Sequence, residues 1–461
     1  MNFKNTKLHS INSPKLWSGV LLVVISLFLT ACNSQGSSEN QTTYYNLPAV
    51  TNKYSEEEIV DFNSRINRGQ TNRYEGLVIR NTPLLQKPSE LPSALFYDSG
   101  IDIPYPEEGV KGLYITTDNL LDDEYFNYII DYIDQTALNA VVIDFKDDYG
   151  QIIPQIESDN PLVENSVVGL VDLQEKLKIF EEKGIYPIAR IVTFKDYMLA
   201  NLRPDVSFTD VETGELWSAD TGSLFINPFS QEVWDYNIEV AIAAAKMGFK
   251  DIQFDYVRFP EGFHDFADTL EYDIGDYASY VTEDEETEGG ERVMAITDFL
   301  EYARDQLAPY GVQVSADVFG YTAVAGDAPD VRGIGQNFSQ MAEHLDVISS
   351  MIYPSHWDNG FFGIDYPDLN PFDAIDEYMY SEDQALADVS NPIVTRPWLQ
   401  DFTAWYKIPG TFQEYGADQV QAQIVALKQH GVHEFLLWNA SGDYSEGVDY
   451  APEITGNEFY Y

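Results

Sequence analysis

Three aspartates interrupt otherwise apolar runs: Asp144 in Val142-Ile143-Asp144-Phe145-Lys146, Asp255 in Ile252-Gln253-Phe254-Asp255-Tyr256-Val257-Arg258, and Asp317 in Val314-Ser315-Ala316-Asp317-Val318-Phe319. A carboxylate in a hydrophobic strand is costly to bury unless it is paired or working. Further runs end in Tyr353, His356 and Trp357, in Arg396, Trp398 and Gln400, and in Trp438 and Asn439. Together these types have the composition of a sugar site. Carboxylates supply proton transfer and nucleophilic attack, aromatic faces stack on pyranose C–H surfaces, and amide and guanidinium groups take hydroxyls. The reading assigns Asp255 as nucleophile and Asp317 as general acid/base. Asp144, Lys146, Arg258, Tyr353, His356, Trp357, Arg396, Trp398, Gln400, Trp438 and Asn439 are the expected substrate contacts.

Each residue also has a plainer reading. Asp144 paired with Lys146, or Asp255 with Arg258, would be a structural ion pair. His356 reads equally as a loop histidine bonded to backbone, and Trp398 and Trp438 as core aromatics. Arg190, in mid-strand, reads as a buried structural cation, and Lys195-Asp196 as an ion pair at a loop start. A metal-dependent hydrolase would need clustered histidines or a His-x-His strand end. None of the six histidines has that spacing. No metal or other cofactor is implied.

The elements that must position these groups follow from periodicity. From Gly109 onward, short β-branched or apolar runs alternate with longer amphipathic stretches, the pattern of parallel strands with crossover helices. Eight strands are predicted, at Gly112 to Thr117, Ala140 to Lys146, Tyr186 to Phe194, Asp251 to Phe259, Gln313 to Gly320, Asp346 to Tyr353, Ile393 to Gln400 and Glu434 to Asn439. Helices are predicted between them, several closed by glycine as at Lys183-Gly184, Met247-Gly248 and His430-Gly431. Eight such units make an α/β (β/α)₈ TIM barrel, whose reactive groups lie at the C-terminal strand ends. A doubly wound open sheet would carry a glycine-rich loop after its first strand, where this chain has Thr116-Thr117-Asp118-Asn119. A long insertion after strand four, about 261 to 290, contains Glu283-Asp284-Glu285-Glu286 and reads as a rim, a lid or an acidic solvated loop.

At this length of phrase a resemblance becomes specific. Val110-Lys111-Gly112-Leu113-Tyr114, Leu138 through Gly150, Ile188 through Asp196, Gln253 through Pro260, Ser315 through Gly320, Tyr353-Pro354-Ser355-His356 and Arg396 through Phe402 resemble an uncharacterised family of glycoside-hydrolase-like proteins with a TIM-barrel fold. The likeness runs from about Gly109 to Tyr444 and implies a reaction class without a substrate. The chain departs at Ser349-Ser350-Met351, where Ser-Pro-Met is expected. Hydrolysis of glycosidic bonds in an extracellular or envelope polysaccharide, by a retaining two-carboxylate mechanism, is the expected reaction. A non-catalytic carbohydrate-binding surface lipoprotein is the alternative, and the pair Asp255 and Asp317 speaks against it.

The N-terminal end suggests an address. Lys4, Lys7 and Lys15 precede an apolar run from Val20 to Leu29 that is too short to span a bilayer, the order of a secretory signal. Leu29-Thr30-Ala31-Cys32 resembles a bacterial lipobox, and Cys32 is the only cysteine. The expected organisation is a lipoprotein signal peptide over 1–31, a tether over 32–43 rich in Ser, Asn, Gln and Gly, an N-terminal extension over 44–108, and a barrel over 109–461. The expectation is an exported protein, anchored to the cell envelope by lipid on Cys32. A formal charge of −50 repels phosphate backbones, so nucleic acid is not an expected partner.

Overall fold

The computed structural model describes residues 96–453, apart from 220, 283, 285 and 286. The expected signal peptide, tether, Cys32 and positions 44–95 of the extension lie outside the described residues. Most of the acidic run at 283–286 does too.

Eight parallel strands close into a barrel. They are β1 (Lys111–Ile115), β2 (Ala140–Lys146), β3 (Tyr186–Val192), β4 (Asp251–Asp255), β5 (Gln313–Phe319), β6 (Val347–Met351), β7 in two pieces (Val394–Thr395 and Trp398–Gln400) and β8 (Phe435–Trp438). Closure is made by β1, which pairs with β2 through Gly112↔Ala140 and with β8 through Lys111↔Phe435. That excludes the open doubly wound sheet. Every residue of β2, β3 and β4 is buried, as expected of strands covered on both faces.

The crossover helices are α1 (Asp123–Asp134), α2 (Leu173–Lys183), α3 (Gln231–Met247), α4 (Gly290–Leu307), α5 (Phe338–Glu343), α6 (Pro371–Leu386) and α7 (Ala417–Gln429). Their starts follow local chemistry. Asp122, Asp172 and Ser230 each accept from first-turn backbone N–H groups of α1, α2 and α3. Gly184 stops α2 in the left-handed region at φ 68°. Gly248 ends α3, and there a side chain would collide with Ile101 of the N-terminal segment, its Cβ 2.6 Å from that residue's Cγ1.

Two strand ends depart from the periodicity. β4 stops at Asp255 instead of running to Phe259, because Tyr256 takes φ 48° and turns the chain. β7 is broken at Arg396-Pro397, where proline offers no N–H to the ladder. β6 bridges the gap, pairing with one piece through Ile348↔Thr395 and with the other through Met351↔Trp398.

The described end of the extension belongs to the barrel floor. The Tyr105 hydroxyl donates to Glu434 at 2.6 Å, and its ring packs edge-on against Tyr186. At the opposite end the first part of the insertion after β4, up to Tyr272, packs as a rim. Leu270–Glu271 pairs with Thr209–Asp210 from the loop after β3, and Phe208, Phe259, Phe263 and Tyr272 interlock beneath it.

Candidate active site

Strand parity decides which side chains meet inside the barrel. Asp144 on β2 is registered with Arg190 on β3, and Arg190 with Gln253 on β4. Residue 255, two further along β4, faces inward as well. Phe254↔Ala316 is the last paired position between β4 and β5, and the next residues on each are Asp255 and Asp317. All three acids therefore share the C-terminal mouth.

Arg190 joins two of them. Its Nη1 donates to Oδ1 of Asp144 at 2.7 Å, and its Nε and Nη2 reach Oδ2 of Asp255 at 2.8 and 2.6 Å. A third carboxylate, Asp148 just beyond β2, lies 3.5 Å from Nη2. Arginine suits this place because its planar fork serves several carboxylates at once and stays charged when buried. The other oxygen of Asp255 accepts from the Tyr256 backbone N–H at 2.6 Å. The left-handed conformation of Tyr256 is uncommon for a residue with a side chain, and such strain gathers at functional sites.

Asp317 has opposite surroundings. It is 2% exposed, forms no ion pair among the described residues, and its hydrogen bond comes from the indole Nε1–H of Trp398 at 2.6 Å. Burial, followed by the negative charge of Asp255, pushes its carboxyl well above the usual carboxylate range. Burial likewise raises Asp144, against the pull of Arg190 and of the Tyr114 hydroxyl, which donates to Asp144 at 2.5 Å. Aromatic walls complete the mouth. Tyr114 stacks on Trp438 with centroids 4.6 Å apart, Trp438 meets Trp398 edge-on at 5.6 Å, and the guanidinium of Arg190 faces both Tyr114 and Trp438. Burial, followed by the negative charges of Asp317 and Asp255, pushes the Tyr353 hydroxyl well above its usual range. One carboxyl raised by burial and a second held by a cation is an arrangement that suits an acid and a nucleophile.

Residues 112–444 match the family described as "Putative glycosyl hydrolase domain". The chain belongs to this family. Among solved structures, the PgaB (BpsB) glycoside hydrolase domain from Bordetella bronchiseptica is 14% identical at a TM-score of 0.52, the alignment covering 72% of this chain and 94% of that one. That likeness concerns the fold alone. A hypothetical protein from Ruminiclostridium thermocellum ATCC 27405 is 32% identical over 45% of this chain and 97% of its own, with a TM-score of 0.37. No curated protein matches the chain.

In this glycosyl hydrolase domain the expected contacts divide. Asp144, Asp255, Asp317, Tyr353, Trp398 and Trp438 converge on the mouth. Arg258 lies above it, its guanidinium over Tyr256 and Phe319 and bonded to Glu261. His356 is solvent-facing on the rim, its ring edge against Tyr353.

Five expected contacts lie elsewhere. Lys146 is turned out of the barrel because a bulge between Asp144 and Lys146 shifts the register, and it pairs with Asp196 at 2.7 Å and with Asn237 of α3. Arg396 is fully buried in the floor, on Asp251, Glu434 and Tyr105. Gln400 bonds Ser355, Asp368 and Phe402 and so ties the loops after β6 and β7 together. Asn439 holds the backbone carbonyls of Asp401 and Asp443. Trp357 packs among Phe361, Phe362 and Tyr378.

The expected ion pairs also change partners. Asp144 and Asp255 both choose Arg190 over Lys146 and Arg258, while Lys195 pairs with Asp148 and not with Asp196. Sequence reasoning missed Tyr114, Asp148 and the bridging role of Arg190. The available signal for Arg190 was its two-residue offset before the end of β3, which puts it level with Asp144.

Proposed function

We propose that the barrel hydrolyses glycosidic bonds of an extracellular or envelope polysaccharide with retention of anomeric configuration. The observation that carries this reading is the contrast between Asp255, ion-paired with Arg190, and Asp317, raised by burial and without an ion pair among the described residues. Asp317 protonates the departing glycosidic oxygen as the carboxylate of Asp255 attacks the anomeric carbon. Asp317 then takes a proton from the water that releases the sugar. Neighbouring strands lie about 4.7–4.9 Å apart. Their origin on adjacent β4 and β5 favours the roughly 5–5.5 Å carboxylate separation of retaining enzymes over the wider inverting one. Tyr114, Trp438 and Trp398 supply apolar faces for sugar rings. The signal-like segment and Cys32 support work outside the cytoplasm on a lipid tether.

Proton NMR of the first product formed, recorded before mutarotation on whichever polysaccharide is cleaved, tests the mechanism. The substrate's own anomer is expected. The opposite anomer would replace this mechanism with an inverting one.

A further inference from the structure

Outside the mouth, the strongest unexplained feature is a cluster of exposed apolar side chains on the loop after β7. Trp405, Tyr406 and Ile408 are 67%, 68% and 73% exposed. Single exposed apolar residues are ordinary, but three within four positions are not. The loop is fastened. Lys407 donates from Nζ to the backbone carbonyl of Ser355 at 2.7 Å, the Tyr406 hydroxyl lies 3.0 Å from the Ser355 hydroxyl, and the Trp405 ring stands edge-on to Phe412. Ser355 is itself held by Gln400. These ties hold large rings ready in water, which lowers the entropy cost of using them for binding.

Tyr406 and Ile408 line a cleft of about 230 Å³ between the loops after β6 and β7, together with Asp358, Asn359, Lys407 and Thr411, and Trp405 immediately precedes them in the chain. An aromatic face beside carboxylate and amide groups is chemistry suited to a pyranose. The cleft falls below the ~300–1,000 Å³ of drug-sized sites, which suits one ring. Its two loops leave the barrel at the ends of β6 and β7. Tyr353, just beyond β6, contacts Phe402 edge-on at 5.7 Å, and the rim residue His356 lies 6.3 Å from Phe402, three positions before Trp405.

We propose that Trp405 and Tyr406, with Asp358 and Asn359, form an outlying sugar subsite that binds a unit of the same glycan chain beyond the cleavage point. The proposal rests on the glycan reading of the mouth and deepens it. The subsite makes the enzyme act better on long chains than on short ones, because a substrate reaching the rim gains binding that a disaccharide lacks. A lipid bilayer is the other surface that Trp, Tyr, Ile and Lys can meet. The polar cleft, the fastened loop and a formal charge of −50, which opposes anionic headgroups, favour the glycan.

The test uses the full chain with Asp317→Asn to stop turnover, with and without Trp405→Ala. Retention is measured on insoluble peptidoglycan, chitin, cellulose and mannan, and on phosphatidylglycerol vesicles. The parent is expected to be retained by at least one polysaccharide, and Trp405→Ala to weaken that retention about ten-fold, the loss of a central aromatic contact. Because Trp405 is exposed, its loss leaves the fold intact, checked by an unchanged melting temperature. Equal retention with and without Trp405, retention by none of the four, or a Trp405-dependent affinity for vesicles alone overturns the subsite. Trp405-dependent retention of a polysaccharide that the active chain never cleaves would leave the subsite standing and sink the hydrolase reading.

Discussion

The indole N–H of Trp398 donates to Oδ1 of Asp317 at 2.6 Å, from β7 to β5 across the barrel mouth. This donor favours the charged form of a carboxyl that burial and Asp255 push the other way. Removing it should raise the Asp317 pKa further. A general acid works while protonated, so in Trp398→Phe the alkaline limb of the kcat/KM profile is expected to move to higher pH. A limb that stays in place or moves lower would show that Asp317 is not the acid.

Asp255→Asn and Asp317→Asn should each lower kcat by about 10²–10⁴ or more while leaving substrate affinity nearly intact, because an amide keeps the shape and loses the ionisation. Asp144→Asn should mainly raise KM. Its carboxylate holds Arg190 and accepts from Tyr114, and Arg190 retains Asp255 and Asp148 without it. Steady-state kinetics of the three variants decides. If Asp144→Asn is as inactive as Asp255→Asn while Asp317→Asn stays active, the acid lies on β2.

Arg396 is expected to govern stability and not substrate binding. It is buried in the floor on Asp251 and Glu434, and its removal leaves two buried carboxylates without their cation. Arg396→Met should cost about 3–5 kcal/mol in urea unfolding, the range for breaking a buried pair, with KM of the folded fraction unchanged. A raised KM with unaltered stability would return Arg396 to the site.

Glu382 on α6 is fully buried and accepts from the Ser350 hydroxyl at 2.8 Å. Desolvation raises its pKa from 4.5 to about 7. The folded state thus holds a proton that the unfolded state has released. Stability from this group is complete below about 4.5 and declines as pH rises through about 7, by roughly 3 kcal/mol in all. Glu382→Gln should flatten the dependence of the melting temperature between pH 5 and 8. An equally steep decline in the variant would mean that other groups cause it. Ser350 occupies the position where proline is expected, and it brings a hydroxyl donor to this buried acid.

The architecture was legible because its signals are local. Apolar runs such as Ala140–Lys146 and capped helices such as Leu173–Lys183 lie where periodicity puts them, since burial on both faces and termination by glycine are written in consecutive residues. The identity of the acids was legible for the same reason: Asp144, Asp255 and Asp317 stand out against apolar neighbours. Their partners were not. Asp255 is three residues from Arg258 in the chain yet bonds Arg190, sixty-five positions away. Only barrel closure and the register of β2, β3 and β4 bring that guanidinium level with both acids. Lys146, Arg396 and Gln400 show the same limit. Each ends or interrupts a strand near the mouth in sequence, but a bulge turns Lys146 outward, the break at Pro397 leaves Arg396 in the floor, and Gln400 is drawn into tying loops. Residue type is fixed by sequence, whereas the direction of a side chain at a strand end depends on register shifts of a single residue, which tertiary pairing sets.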